Sequence, residues 1–178
     1  MFRTIALVIA LTIPAVALAS GNRSEKPPKP TKTTESCKHG KVWDKKSKAC
    51  VNAQESQLDD ETLYGAVREF AYAGQYGNAQ TVLSAMSDQN DDRVLTYWGF
   101  THRKMGDVAK GMAFYDRALK QNPANILARS YMGQALVEQG DLTGAQAQLV
   151  QIRAHDGADT WAENALTTAI STGEGFSY

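Results

Sequence analysis

Two cysteines and three histidines are the first side chains of this 178-residue chain to consider as zinc ligands or as catalytic groups. Cys37, His39 and Cys50 lie within 14 residues of one another, which is compact enough for a zinc site. They lack a fourth ligand at suitable spacing, and structural zinc usually takes four. His102 and His155 have no nucleophile or carboxylate at the spacing of a catalytic motif. The sequence therefore predicts no enzyme, no metal site and no cofactor.

The N-terminal residues have the pattern of an export signal. Arg3 precedes an apolar run over residues 5–16, and a small-x-small sequence follows at residues 17–19. The run is shorter than the ~20 apolar residues that cross a bilayer, and no later segment is long enough either. We expect cleavage after Ala19 and a mature chain in a bacterial periplasm or outside the cell.

An oxidising compartment makes a Cys37–Cys50 disulfide the default state of the two cysteines. Val42 and Trp43 suit a strand between them, so we predict a disulfide-closed hairpin over residues 36–51. The segment resembles short two-cysteine modules of secreted bacterial proteins, and it is faintly similar to cysteine-framed carbohydrate-binding hairpins. Trp43 then has two interpretations. It can stack on a sugar or on a protein partner, or it can have a structural role and cover the disulfide as a small core.

The 19 basic and 19 acidic side chains cancel in number but not in position. Residues 20–55 carry nine basic and four acidic side chains, whereas residues 56–178 carry nine basic and fifteen acidic ones. Residues 20–35 contain three prolines and no large apolar side chain, which predicts a disordered Pro/Lys-rich linker. The basic N-terminal part suits an anionic cell-wall or envelope polysaccharide, which is the alternative function. Export argues against a nucleic-acid partner.

The chain repeats with a period of 34 residues in its C-terminal two thirds. The pair Gly106-Asp107 recurs at residues 140–141, and each pair separates two amphipathic stretches. Glycine permits a left-handed helix end, and aspartate then caps the next helix. The pattern predicts repeated helix–turn–helix units at about residues 60–91, 92–125 and 126–159, with a cap at 159–172 and a tail at 173–178.

These units resemble the tetratricopeptide repeat family, whose pattern alternates large apolar residues with small residues where helices cross. In the unit 92–125 the pattern positions hold Leu95, Trp98, Gly99, His102, Gly111, Tyr115, Ala118 and Pro123. In the unit 126–159 they hold Arg129, Met132, Gly133, Leu136, Ala145, Leu149, Ile152 and Gly157. The first unit is more divergent and offers Leu63, Ala66, Val67, Phe70, Ala79, Leu83 and Met86. The resemblance covers residues 58–172 and implies an all-α, right-handed solenoid of about three repeats plus a C-terminal capping helix.

The resemblance also implies a groove that is lined by the first helix of each unit and binds a protein or peptide. The predicted groove residues are Tyr64, Arg68, Tyr72, Arg93, Thr96, Phe100, Arg103, Lys104, Leu127, Ser130, Gln134 and Glu138. Three of these, Arg68, Arg103 and Lys104, suit an acidic peptide or a terminal carboxylate. Alternatively they form salt bridges on a solvated face. The carboxylate clamp of chaperone-binding members is absent, because Tyr64, Arg68 and Tyr97 occupy its positions. The prediction is a non-catalytic adaptor of the cell envelope.

Overall fold

The structure is a computed structural model that describes residues 27–175. The predicted export signal, the cleavage site after Ala19 and residues 20–26 and 176–178 lie outside the described residues. The elements in chain order are α1 (Lys32–Ser36), β1 (Val42–Asp44), β2 (Ala49–Val51), a 3-10 helix (Ala53–Glu55), α2 (Asp60–Tyr72), α3 (Tyr76–Leu83), α4 (Asp92–Lys104), α5 (Val108–Gln121), α6 (Ile126–Glu138), α7 (Leu142–Ala154) and α8 (Trp161–Thr172).

The helices that follow β2 pack as helical hairpins with one helix left over. α2 packs on α3, α4 on α5 and α6 on α7, while α8 contacts both α6 and α7. One hydrophobic core joins the first two hairpins, and a second lies among α6, α7 and α8. The predicted fold class is confirmed: it is all-α, with repeated helical hairpins and a capping helix that follow a disulfide-closed β-hairpin.

The Gly-Asp turns form as the period predicts. Gly106 and Gly140 adopt φ angles of 91° and 82°, a left-handed conformation that disfavours side chains other than glycine. Asp107 and Asp141 then accept backbone hydrogen bonds from the first turns of α5 and α7. Each turn thereby ends one helix and starts the next.

The first hairpin departs from this pattern in its second helix. Gly74 has a φ of 72°, but Gln75, which precedes α3, makes no side-chain capping hydrogen bond. α3 has only 8 residues, whereas α5 has 14 and α7 has 13. An irregular segment over residues 84–91 takes the place of the missing turns.

Small residues permit the helices to approach closely, as the repeat pattern predicts. One of these close approaches, however, is to the capping helix and not to the other helix of the same hairpin. A Cβ on Gly99 of α4 would lie 2.5 Å from Cε1 of Tyr115 on α5. A Cβ on Gly133 of α6 would lie 2.6 Å from Cδ1 of Leu166, which belongs to the capping helix α8. Gly99 therefore serves the crossing within a hairpin, whereas Gly133 makes room for α8. Among the other signature residues, the structure buries Leu95, Tyr115, Ala118 and Ala145, half-buries Trp98 and Leu149, and exposes Pro123.

A buried polar network joins the second and third hairpins. Asp92, at the start of α4, is 8% exposed, and its Oδ2 accepts hydrogen bonds from the amides of Asn122 at 2.9 Å and Asn125 at 2.7 Å. Asn125 also donates to the hydroxyl of Thr96 at 3.0 Å, and its own Oδ1 caps α6 through the N–H of Ala128. Because all these groups are satisfied by one another, the network fixes how α4 meets α6.

The N-terminal hairpin is packed against the helical repeats. The Cys37–Cys50 disulfide forms, and antiparallel pairing sets Trp43 opposite Cys50. Val42 is 1% exposed and belongs to the core of the first two hairpins. Gly40, with φ at 70°, lies so close to α3 that a Cβ there would be 3.0 Å from the side chain of Thr81. The predicted hairpin is confirmed, and it shares a core with the repeats.

The segment before the hairpin is anchored to α2 by the carboxylate of Glu69 and to the hairpin by the hydroxyl of Thr33, which accepts a hydrogen bond of 3.2 Å from the N–H of Trp43. Glu69 of α2 is 7% exposed, and its oxygens accept hydrogen bonds from the N–H and hydroxyl groups of Thr31 at 2.7 and 2.8 Å. The N–H and hydroxyl of Thr34 donate to the same carboxylate at 3.1 and 2.6 Å. These contacts cap α1, so the prediction that the linker is disordered as far as residue 35 is wrong for its last residues, 31–35. The order comes from a contact with α2, not from apolar burial in the segment itself.

Candidate partner-binding surfaces

Aromatic side chains of the protein fill the face that the sequence predicts to be a groove. Tyr97 and Phe100 of α4 and Tyr131 of α6 are fully buried. The ring centroids of Phe100 and Tyr131 lie 4.7 Å apart, and that of Tyr97 lies 6.2 Å from Tyr131. Tyr64 of α2 packs edge-on against Tyr97 at 5.7 Å. The space between α2, α4 and α6 is therefore an aromatic core.

Tyr72 closes this face by joining the first repeat helix to the last helix. Its hydroxyl shares a hydrogen bond of 3.1 Å with the hydroxyl of Tyr131 on α6. Its ring lies 6.3 Å from the ring of Trp161 on α8, which in turn lies 6.2 Å from Tyr131. We call these three residues the aromatic clasp.

Burial overturns the prediction for part of the groove. Thr96 is held in the polar network, where its hydroxyl donates to the carbonyl of Asp92 at 2.6 Å. Gln134 donates to the hydroxyl of Ser130 at 3.2 Å within α6. Such residues look solvent-facing in the sequence, but their hydrogen bonds are made inside the protein. The prediction that they face a partner is wrong for five residues, each at most 4% exposed: Thr96, Phe100, Arg103, Ser130 and Gln134.

The prediction that Arg103 faces a partner is the one most clearly overturned, because the charged group of this side chain is buried. Its side chain is 1% exposed, and its guanidinium lies 3.5 Å from the carboxylate of Glu138 and 5.8 Å from the ring of Phe100. Burial raises the pKa of the neighbouring Tyr115, although the positive charge of Arg103 acts in the opposite direction. Arg103 therefore holds α4, α5 and α6 together and does not contribute to a basic groove.

The rest of the predicted set remains accessible, and four members form one continuous surface that we call the groove rim. The guanidinium of Arg93 lies 4.7 Å over the ring of Tyr64 and forms an ion pair of 2.7 Å with Glu61. The groove rim consists of Tyr64, Arg68, Tyr72 and Arg93, all half-buried; outside it, Lys104 and Leu127 are half-buried and Glu138 is exposed.

Arg68 lies at the centre of the groove rim. Burial alone would lower its pKa, but the phenol groups of Tyr97, Tyr64 and Tyr72 reverse this effect and raise it. Arg68 is positively charged at every physiological pH, as a guanidinium group is in any protein. Farther along α4, burial and the charge of Arg103 lower the pKa of Lys104. The rim thus combines aromatic surface with the positive charge of Arg68, while the charge of Arg93 is paired with Glu61 and Asp91.

Lysines cover the outer surface of the N-terminal part, which we call the lysine face. Asp44, the one acid of the hairpin, accepts hydrogen bonds from the backbone N–H groups of Lys46 and Ser47 in the turn. Trp43 is half-buried, with the ammonium of Lys32 at 4.5 Å from its ring centroid. The lysine face consists of seven exposed side chains: Lys29, Lys32, Lys38, Lys41, Lys45, Lys46 and Lys48.

The outer side of the second hairpin carries a cleft that the sequence reasoning missed. It has a volume of about 310 Å³, and we call it the outer cleft. Trp98 and His102 occupy pattern positions of the repeat, and both are half-buried and line this cleft. Burial and the charge of Lys110 lower the pKa of His102, while Asp107 opposes that shift. The spacing of Lys110, Phe114 and Arg117 places these side chains on one face of α5. This spacing is the feature of the sequence that could have indicated the cleft.

The part of the chain that the structure describes contains neither a cluster of metal-ligating side chains nor a helix that could span a membrane. Both cysteines are consumed by the disulfide, so the Cys37, His39, Cys50 zinc interpretation is wrong. Over residues 27–175 no cluster of three or more acidic, histidine or cysteine side chains could hold a metal. Within the same range, every helix is too short or too polar to span a bilayer.

The fold and these surfaces define an all-α protein of repeated helical hairpins in which each hairpin packs on its neighbours. A sequence model of the tetratricopeptide repeat family matches residues 102–167, from the end of α4 into α8. Repeats of this family are non-catalytic scaffolds that mediate interactions between proteins. No match was found among curated proteins or among solved structures.

Proposed function

We propose that this protein is an exported, non-catalytic adaptor that holds a protein or peptide segment in the bacterial cell envelope, in the periplasm or outside the cell. The groove rim carries the proposal. Tyrosine and arginine are the residue types that concentrate binding energy at interfaces, and here they are adjacent and pre-ordered. The stacking of Arg93 on Tyr64 at 4.7 Å reduces the side-chain entropy that a partner would otherwise have to remove.

Export is part of the proposal and rests on two independent features. The apolar run at residues 5–16 ends in Ala17-Leu18-Ala19, as an export signal does. The Cys37–Cys50 disulfide suits an oxidising compartment, where such a bond persists. Absence of a catalytic motif agrees with an adaptor role.

A photo-crosslinking amino acid in place of Tyr64 tests the adaptor function in the native envelope. We expect it to capture one defined neighbour, identified by mass spectrometry. Arg93→Ala in the same background should lower the yield about tenfold, as for an interface anchor worth more than 1 kcal/mol. The matched control places the crosslinker at Asp116, which is exposed on α5. Equal products from positions 64 and 116 would contradict the proposal.

The lysine face favours a second candidate function, which is binding of an anionic cell-wall or envelope polysaccharide. Its seven lysines are all exposed, and five of them lie on the segment that runs from residue 37 to residue 50, which the disulfide closes. A fixed cluster of positive charge attracts a polyanion in a manner that salt weakens. One face of Trp43 is occupied by Lys32, so a sugar would stack on the opposite face.

Cosedimentation of the full chain with purified cell walls across a salt series tests this second candidate. Lys45→Glu/Lys46→Glu should abolish sedimentation at low salt, because it reverses charge at the tip of the hairpin. The control, Lys120→Glu/Gln146→Glu/Gln151→Glu, makes the same change in net charge at exposed positions of α5 and α7 and should sediment like the unmodified protein. If both variants lose sedimentation equally, net charge and not the lysine face is responsible.

A further inference from the structure

The outer cleft exists because the first hairpin ends early. α3 stops at Leu83, and residues 84–91 cross to α4 as irregular chain. Gln89, in this segment, lines the cleft and accepts a hydrogen bond of 3.3 Å from the indole N–H of Trp98. The short α3 thus leaves a side of α4 and α5 that a longer helix would cover.

The floor of the cleft consists of three nearly parallel rings that stack on one another, and we call them the ring platform. His102 and Phe114 lie with ring centroids 5.5 Å apart and planes 7° from parallel. Trp98 lies 5.8 Å from His102 and 6.0 Å from Phe114, with interplanar angles of 23° and 19°. The rings stack on one another and Arg117 lies over Phe114, so another ring would pack against the half-buried edges and outer face that this stack leaves accessible.

The rim of the cleft is positively charged. Lys110 and Arg117 lie on the same face of α5 as Phe114, about 10 Å apart along the helix axis. Arg117 is held in place by a hydrogen bond of 3.0 Å to Asn90 and by Phe114, whose ring centroid is 5.3 Å from the guanidinium carbon. Asp107 lies 3.9 Å from His102, and no carboxylate is among the described residues that line the cleft.

We propose that the outer cleft binds an acidic peptide segment, with an aromatic side chain on the ring platform and flanking carboxylates at Lys110 and Arg117. Both parts of this ligand match the cleft. An aromatic side chain packs favourably against the rings, and carboxylates are attracted to Lys110 and Arg117. A nucleic acid fits less well, because it needs an extended track of cations, whereas the described residues that line the cleft include two, Lys110 and Arg117. The cleft is separate from the groove rim, so it can bind whether or not the rim does.

Panning a phage-displayed random peptide library on the full chain tests the proposal. Enriched peptides should combine an aromatic residue with flanking aspartate or glutamate, and they should shift the NMR signal of the Trp98 indole N–H. They should bind about tenfold more weakly to Lys110→Glu/Arg117→Glu, which changes exposed residues only. The matched control, Lys120→Glu/Arg153→Glu, makes the same change in net charge on exposed residues outside the cleft.

Three outcomes would overturn the proposal. One is an absence of enriched peptides of this composition. Another is equal binding to the cleft variant and its control, which would place the peptides elsewhere. The last is a shift of the Trp98 signal by a single-stranded oligonucleotide with none by the peptides, which would make the cleft a nucleic-acid site. None of these results bears on crosslinking from position 64, so the adaptor function is judged separately.

Discussion

Gly99→Ala should lower the free energy of unfolding by about 1–3 kcal/mol, the usual effect of overpacking a well-packed interior. The new methyl group would lie 2.5 Å from Cε1 of Tyr115 and 3.0 Å from the carbonyl oxygen of Gly111. Tyr115 is fully buried and cannot move aside, and the oxygen belongs to the backbone of α5. The two helices would have to separate. Chemical denaturation followed by circular dichroism measures the change.

Gly65→Ala supplies the matched control for this substitution. Gly65 is exposed in α2, and a Cβ there meets no atom within 4 Å. Alanine is the better helix former by about 0.8–1 kcal/mol, so this variant should be more stable than the unmodified protein. If glycine-to-alanine substitution lowers the free energy of unfolding at position 99 and raises it at position 65, the close helix crossing at Gly99 is the cause of the destabilisation. A destabilisation of similar size at both positions would refute it.

The variant Cys37→Ser/Cys50→Ser should lose about 3 kcal/mol of local stability in the N-terminal hairpin, from the loop-closure entropy of a 13-residue separation. Amide hydrogen exchange in β1 and β2 should accelerate roughly 100-fold, since every 1.4 kcal/mol is a factor of ten. We expect α7 to keep its protection, because its buried residues belong to a core that does not include the hairpin.

Reduction of the unmodified protein is the control for the cysteine variant. A reducing agent should reproduce the faster exchange in the unmodified protein and leave the variant unchanged. Hydrogen exchange with mass-spectrometric detection resolves the peptides from residues 37–51 and from the helices. Unaltered exchange over residues 42–51 in the variant would mean that the packing of Val42 against the repeats holds the hairpin without the disulfide.

Features that depend on neighbouring residues were predictable from the sequence. A glycine that ends a helix and an aspartate that begins the next act within one turn, so Gly106-Asp107 indicated the hairpin directly. The two cysteines likewise had only one partner each within the chain. Both predictions are confirmed.

Features that depend on distant contacts were not predictable. Thr31 and Thr34 are ordered by Glu69, 38 and 35 residues away, and nothing in their own segment indicates this contact. Thr96 and Gln134 have polar side chains at positions that face a groove in the family, yet both are buried and make their hydrogen bonds inside the protein. The outer cleft depends on where α3 stops, which the repeat pattern alone does not fix.

The aromatic clasp changes how this chain should unfold. In an open array of helical hairpins each unit contacts only its neighbours, so the ends can fray while the middle persists. Tyr72 instead bonds to Tyr131 and packs on Trp161, which gives α2 direct contacts with the third hairpin and with α8. Loosening either terminus removes contacts from the other. The aromatic clasp therefore couples the two ends of the repeat domain, so we expect fraying of α8 to loosen the last turn of α2 as well.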